Sequence, residues 1–345
     1  MLIPLRSLRS LRSISTAKRK LLPKPYSHNY WIKNGGIPIP YAALAPSSHN
    51  TQPWYFRVAN DSICLYADRT RSLPVNDPYD RELTISCGCA AMNLRVAAAH
   101  VGIATHVEIL PDSHDDDLLA VISCSESRDE LTRDSELFEF IVERRTYRKR
   151  FKEEDIDETI VHQLQEAAAE ENATVRILKE AARDQAAILV SKGDAVQWAN
   201  PSWRRELATW MHPRRKGDGL TVPWLVAPFA QVVVRTFDMG SGIGAKDRDL
   251  ADQSPVLAVL GTECDAAADW FSAGEALERV LLTACRNGLQ ASYLNQPIQT
   301  ASLRPKLQHL LRSREFPQVL LRLGYPSETL PAAPRRNVLE VIDEA

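Results

Sequence analysis

Two short stretches hold side chains that could act together on a ligand. The first, Ala45-Pro46-Ser47-Ser48-His49-Asn50-Thr51-Gln52-Pro53-Trp54-Tyr55-Phe56, brings hydroxyls, amides, prolines and aromatics into twelve residues. Pro46 disfavours helix at Ala45 and Pro53 biases Gln52 toward extended backbone, so the residues between them are held open as a loop. Ser47, Ser48, Asn50 and Gln52 offer both donors and acceptors, which suits the edge of a planar, many-heteroatom ligand better than a point charge. The same residues also make an ordinary polar turn that satisfies its own backbone. The second stretch, Arg144-Arg145-Thr146-Tyr147-Arg148-Lys149-Arg150-Phe151, surrounds the Thr146 hydroxyl with cations. It follows a helical segment at 138–143 and ends on Phe151, so part of it should face inward, where an arginine cluster needs an anion; phosphate matches the planar guanidinium fork best. A solvated basic face is the competing reading.

Other familiar chemistries find no support. Gly240-Ser241-Gly242-Ile243-Gly244-Ala245-Lys246 lacks the third glycine of a dinucleotide fingerprint, and no Gly-Lys-Ser/Thr follows, so it reads as a flexible loop. Cys87-Gly88-Cys89 is too short for a normal disulfide and has no second metal half, and the other four cysteines are far apart; with neither Cys-x-x-Cys nor zinc spacing, the six point to free thiols in a reducing compartment and to no metal. With 42 basic and 44 acidic side chains, formally -2, the chain shows no global preference for nucleic acid, membrane or acidic substrates. No apolar run reaches membrane-span length. Residues 1–34 are basic and acid-free, and read as a disordered or targeting segment outside the fold. The expected location is cytoplasmic, or mitochondrial if the source is eukaryotic.

At 345 residues the chain can bury a sizeable core as one large domain or two average ones. Alternation predicts a hairpin of strands at 55–58 and 62–67. Helical spacing predicts a long Ala-rich helix over 81–101, followed by strands at 105–110 and 118–124. In the second half, helix 156–171 leads to strands at 174–178, 231–237, 256–261, 291–294 and 317–324. Residues 198–219, with Trp198, Trp203 and Trp210, read as irregular; their aromatic surface is either ordinary core or a cover for a ring ligand.

An internal repeat decides the architecture. Residues 87–103 match 273–289 at a constant offset of 186, with Gly88/Gly274, Ala90/Ala276, Ala98/Ala284 and Gly102/Gly288 coinciding. Two unrelated amphipathic helices ending in glycine can also agree by chance. With a strand after each, the pattern reads as two related halves, 35–130 and 137–345.

The string A-P-S-S-H-N-T-Q-P-W-Y-F resembles the signature loop of the FMN-dependent nitroreductase family, and the resemblance covers about residues 41–342. R-R-T-Y-R is similar to the family's phosphate-binding R-x-S-x-[KR], which implies that role for Arg144, Thr146 and Arg148. P-R-R-x-x-x-E-V resembles its C-terminal basic motif and brings in Arg335 and Arg336. G-L-Q-A-S-Y-L-N-Q-P resembles the segment beside the flavin nitrogen that accepts hydride, here Asn295 and Gln296. Ser47, Ser48 and Asn50 would lie against the isoalloxazine ring.

Ordinary members are shorter homodimers with the arginine motif first. Here the order is reversed, which resembles the fused, internally duplicated branch. The implied fold is α+β, a mostly antiparallel sheet flanked by helices, with two pseudo-symmetric halves mimicking the homodimer. The implied lid is 198–222. The implied function is reduction of bound FMN by NAD(P)H and then of a nitroaromatic, quinone or similar acceptor, with no catalytic side chain assigned because the flavin does the chemistry. A lid-closed protein that holds FMN with little reductase activity is the alternative. The expected state is a monomer with a pseudo-dimeric core or a homodimer, with neither nucleic acid nor membrane as partner.

Overall fold

Strand alternation and helix burial divide the chain into two sheets with a helix pair between them. The computed structural model describes residues 39–59, 62–125, 132–211, 215, 217–220 and 227–344, all within one compact unit, Pro38–Ala345. The basic segment 1–34 lies outside the described residues, as do 212–214, 216 and 221–222 of the expected lid.

The first half contains β1 (Trp54–Ala59), β2 (Ser62–Ala67), α1 (Arg81–His100), β3 (Ala104–Ile109) and β4 (Leu118–Ser125). In β2 the side chains of Ile63, Leu65 and Ala67 alternate inward, as a sheet with one packed face requires. The second half contains α2 (Glu158–Ala169), β5 (Ala173–Ile177), α3 (Glu180–Ala199), α4 (Pro201–Thr209), α5 (Ala227–Thr236), α6 (Gly240–Asp252), β6 (Val256–Thr262), α7 (Ala267–Arg286), β7 (Gln290–Tyr293), β8 (Phe316–Gly324) and β9 (Ile342–Glu344).

The first sheet runs β3-β4-β2-β1-β9 and the second β5-β6-β8-β7. Read from its other end, the second sheet matches the first strand for strand: β7 stands for β3, β8 for β4, β6 for β2 and β5 for β1. Every corresponding neighbour pair is antiparallel. This is the duplicated α+β arrangement expected from the sequence, with one mostly antiparallel sheet in each half. Two features break the symmetry. β1 and β2 follow each other closely, whereas β5 and β6 are separated by α3, α4, α5 and α6. The C-terminal β9 also leaves its own half and pairs in parallel with β1, with Phe56 opposite Ile342.

The repeat becomes physical where α1 and α7 cross. Both helices are twenty residues long and begin at the same offset. A Cβ at Gly88 would lie 2.1 Å from the Phe271 carbonyl oxygen and 2.9 Å from the Gly274 Cα. One at Gly274 would lie 2.1 Å from the Ile85 oxygen and 2.8 Å from the Gly88 Cα. Ile85 and Phe271 are themselves equivalent positions of the repeat, so the two glycines face each other across the pseudo-twofold axis.

Three expectations are corrected within the insertion. Gly240–Lys246 is not a loop but the start of α6, because Asp238 Oδ1 accepts from the Gly240 amide and helix then continues to Asp252. The stretch at 231–237 is not strand: 231–236 belong to α5, where the run of valines sits in a helix whose exposed face carries Phe229 and Val232, and exposed Phe237 follows its end. Tertiary context overrode β-propensity there. The region at 198–219 is not wholly irregular: Asn200 caps α4 through the Ser202 amide, with Pro201 at the first helical position.

Candidate functional site

The loop ahead of β1 is strained and heavily tied down. His49, Asn50 and Gln52 have φ of 51°, 54° and 52°, the left-handed region that side chains other than glycine rarely occupy. Ser47 Oγ accepts from the Gln52 amide at 2.9 Å. Arg71 donates to the Thr51 carbonyl at 2.6 Å, and Arg336 to the Gln52 carbonyl at 3.0 Å. Such over-determination is what keeps a strained loop in place.

This loop forms one wall of a cavity of about 340 Å³, a volume in the range of small-ligand sites. Pro46, Ser47, Ser48 and His49 line it from the first half, and Thr146, Arg148, Tyr293, Asn295 and Gln296 from the second. Six of the ten site residues expected from the sequence therefore meet on one cavity: Ser47, Ser48, Thr146, Arg148, Asn295 and Gln296.

The other four stand behind the loop. Arg144 and Arg335 both donate to the Leu44 carbonyl, at 3.0 and 2.8 Å, and Arg335 also reaches Asn50 Oδ1 at 3.2 Å. Arg144 ion-pairs with the fully buried Glu278 at 3.3 Å. Burial first, then the Arg144 charge, lowers the Arg335 guanidinium to about 10. Arg144 itself is held above its ordinary value, burial being outweighed by the Glu278 charge, so the uncompensated guanidinium is Arg335, and a depressed cation beside a second one favours an anion. Asn50 donates to the Gly219 and Pro334 carbonyls, both at 3.2 Å. Arg336 is committed to the Gln52, Trp54 and Glu340 carbonyls, so in this conformation it braces the chain.

Within the cation-rich run the side chains separate by direction. Lys149 pairs with Glu328 and Arg150 with Asp249 at the surface, and Arg145 bonds nearby carbonyls. Arg148 opens into the cavity and forms no ion pair or hydrogen bond among the described residues. Burial, then the Arg148 charge, pushes the His49 imidazole down to about 4, so it is neutral near pH 7.

Several residues of the site were not found from the sequence. Glu82, in the first turn of α1, accepts from Ser48 at 2.6 Å, Gln299 at 2.9 Å and Asn295 at 3.3 Å, joining the loop of one half to the turn of the other. An acidic residue at a helix start looks ordinary in sequence. The insertion supplies Asp194, Gln197, Trp198, Trp203, Ile243 and Asp247. A signal existed at Gly193, a glycine inside a helix whose Cβ would lie 2.6 Å from the Gln296 Cβ.

The insertion is also fastened to the first half. Glu206 accepts from the amides of Val75 and Asn76, both at 2.9 Å, and Trp203 Nε1 donates to Asn76 Oδ1 at 2.9 Å. Further along, the Gly219 amide donates to the Asn50 carbonyl at 3.1 Å, Gln52 Nε2 to the Gly217 carbonyl at 2.7 Å, and Arg71 ion-pairs with Asp218. The described part of the expected lid thus lies against the loop.

No helix among the described residues is long and apolar enough to cross a membrane. No family model matches the chain. Among solved structures, the FMN-dependent nitroreductase NfnB of Mycobacterium smegmatis, in complex with NADPH, is 19% identical, with a TM-score of 0.40, and the match covers 60% of this chain and 96% of that one. Among curated relatives, "Putative NAD(P)H nitroreductase acg" of Mycobacterium tuberculosis is 28% identical over 88% of this chain and 93% of its own. The "Putative NAD(P)H nitroreductase Rv3131" of the same organism is 31% identical over 311 residues, 88% of this chain and 89% of its own. At that identity over nearly the whole length, the chain belongs to the NAD(P)H nitroreductase family of oxidoreductases.

Proposed function

We propose that the cavity between the halves holds FMN, and that the chain uses it to pass reducing equivalents from NAD(P)H to a nitroaromatic, quinone or similar acceptor. The observation that carries this reading is the meeting of Thr146 and Arg148 with the Ser47–Ser48 loop and the Asn295–Gln296 turn on one cavity, with Arg144 and Arg335 behind the loop on the Leu44 carbonyl. The donor set fits the group. Arg144 and Arg335 would hold the phosphate through charge-assisted hydrogen bonds of about 1.5–3 kcal/mol each. Thr146 lines the cavity together with Arg148, which has no competing partner among the described residues and would stabilise negative charge on the pyrimidine edge. Buried polar atoms without partners among the described residues, Tyr293 Oη and Gln296 Oε1, border the same space and would be satisfied by a heteroatom-rich ring.

When bound, FMN supplies reversible hydride chemistry that no side chain can. The residues do the rest. The loop at Ser47, Ser48 and Asn50 supports the ring, Glu82 keeps Ser48 and Asn295 in register, Arg336 braces the loop, and Trp198 and Trp203 keep water from one side. The halves are drawn at 35–130 and 137–345, with the lid at 198–222.

A second reading is favoured by one observation, the stitching of Gly217–Leu220 to Asn50–Gln52. A lid held closed this way would leave a protein that stores FMN and excludes nicotinamide. One spectrum separates the two. Yellow protein that bleaches with anaerobic NADPH or NADH is a reductase, yellow protein that bleaches only with dithionite is a flavin store, and protein that stays colourless after FMN addition refutes both.

A further inference from the structure

The insertion brings a second chemistry to the cavity. Asp194 on α3 is 2% exposed and lines the cavity; its Oδ1 accepts from Gln296 Nε2 at 3.2 Å, and its buried Oδ2 has no partner among the described residues. The same Gln296 amide donates to Asp247 Oδ2 on α6 at 2.8 Å, so one amide spans two carboxyl groups. A buried, unpartnered carboxyl oxygen on a residue that lines a ligand space is either a cost or a tool.

We propose that Asp194 is the proton donor when the acceptor is reduced, its Oδ2 delivering to the acceptor oxygen the proton that must accompany hydride. The inference rests on the FMN reading of the cavity. Conversion of a quinone to its hydroquinone takes one hydride and one proton. The hydride and its two electrons come from NAD(P)H by way of the bound flavin, so the nicotinamide is oxidised and the quinone reduced. The Asp194 O–H bond breaks, an O–H bond forms on the acceptor, and the carboxylate left behind takes its replacement proton from water.

The surroundings keep Asp194 protonated until it is needed. Burial, then the like charge of Asp247, raises its carboxyl to about 7, against the lowering effect of the Gln296 hydrogen bond. From α6 it faces Asp247, which itself feels Lys246, Arg322 and Arg148; from the short helix Gln296–Gln299 it faces Gln296. No cation among the described residues ion-pairs with Asp194. Because Oδ1 accepts from the amide, the proton sits on Oδ2, the oxygen without a partner among the described residues, on a side chain that lines the cavity. Asp194 also adjoins Gln296, the residue expected beside the hydride-carrying nitrogen, so proton and hydride would reach the acceptor from neighbouring positions.

The test uses the FMN-loaded full chain, reduced anaerobically with NADPH and mixed with 1,4-benzoquinone across about pH 5–9, with flavin absorbance followed. Wild-type reoxidation is expected to slow above about pH 7. Asp194→Asn should slow it about 100-fold and flatten the profile, the usual scale for loss of a general acid. Asp247→Asn keeps the donor and removes the like charge, so the alkaline limb should move to lower pH. A readout independent of turnover is carbon NMR of aspartate-labelled apoprotein, in which one carboxyl should titrate near pH 7 and vanish in Asp194→Asn. If every aspartate titrates below about pH 5, or if Asp194→Asn reoxidises with the wild-type rate and profile while the flavin still bleaches normally, the donor assignment is wrong. If no flavin binds, the cavity reading fails and the donor assignment falls with it.

Discussion

Replacing Arg144 tests whether it anchors an anion or merely neutralises a neighbour, because it does both. Glu278 is fully buried, and among the described residues its carboxyl group has the Arg144 pair and the nearby Asn93 as partners, with the Arg335 charge also acting on it. Burial raises its carboxyl to about 6, with Arg144 the main counterweight. Removing one member of a buried pair costs about 3–5 kcal/mol, a large share of the roughly 5–15 kcal/mol that holds a domain together.

The pH dependence has a definite sign. A carboxyl raised in the folded state keeps a proton that the unfolded chain has released, so stability falls as pH rises from the unfolded value toward the folded one. In Arg144→Ala the folded value of Glu278 rises beyond about 6, so urea unfolding should show a small loss near pH 5 and about 3–5 kcal/mol near pH 8. The double variant Arg144→Ala with Glu278→Gln should recover most of that stability, because no charge is left buried. Neither variant should retain FMN through gel filtration, since the phosphate partner is gone in both. Equal stability of the single and double variants at pH 8 would refute the pairing argument, and full flavin retention in both would refute the anchor.

Three further outcomes follow from the geometry. Asp218→Asn removes the Arg71 latch, and if that partly buried pair is worth about 1–2 kcal/mol, NAD(P)H oxidation should rise about 5–30-fold; an unchanged rate would refute gating. His49→Gly, at φ 51°, trades about 1–2 kcal/mol of left-handed strain against about 0.5–1 kcal/mol of glycine entropy, so thermal unfolding should show a gain of about 0.5 kcal/mol, and a loss would show that the imidazole's contacts outweigh the strain. Gly274→Ala gains about 1 kcal/mol of helix propensity but drives a Cβ to 2.1 Å from the Ile85 carbonyl, so a net loss of about 2 kcal/mol or more is expected in urea, and stability at or above wild type would mean that the helix crossing is not tight.

Much of the positioning was legible because it rests on local rules. The β1–β2 alternation, the two long helices with terminal glycines, and the repeat offset each follow from period and end signals that need no tertiary information. The insertion was harder to read. Val232, Val233 and Val234 favour a strand on propensity, and Gly240, Gly242 and Gly244 suggest a loop, yet both segments are helical because their inner faces pack against Trp198, Trp203 and α3. Propensities there are worth tenths of a kcal/mol to about 1 kcal/mol per residue, less than the burial they oppose.

What the sequence by itself determined is the set of chemical types: a donor-rich loop at 45–53, a cation-rich run at 144–151, a basic pair at Arg335–Arg336, and a duplicated helix whose glycines coincide in the repeat. Residue type and short-range spacing carry that much, because loops, caps and periodicity are set by neighbours in the chain. Only the tertiary structure decided which of them meet. It sent Arg148 into the cavity and Lys149 and Arg150 to the surface, turned Arg336 to backbone carbonyls, set Glu82 between Ser48 and Asn295, and brought Asp194 and Asp247 from different helices onto one glutamine amide. The physical reason is that a side chain's partners and burial depend on contacts between residues distant in the chain, and the charge it carries follows from them; no local pattern encodes which of two distant carboxyl groups will share a proton donor.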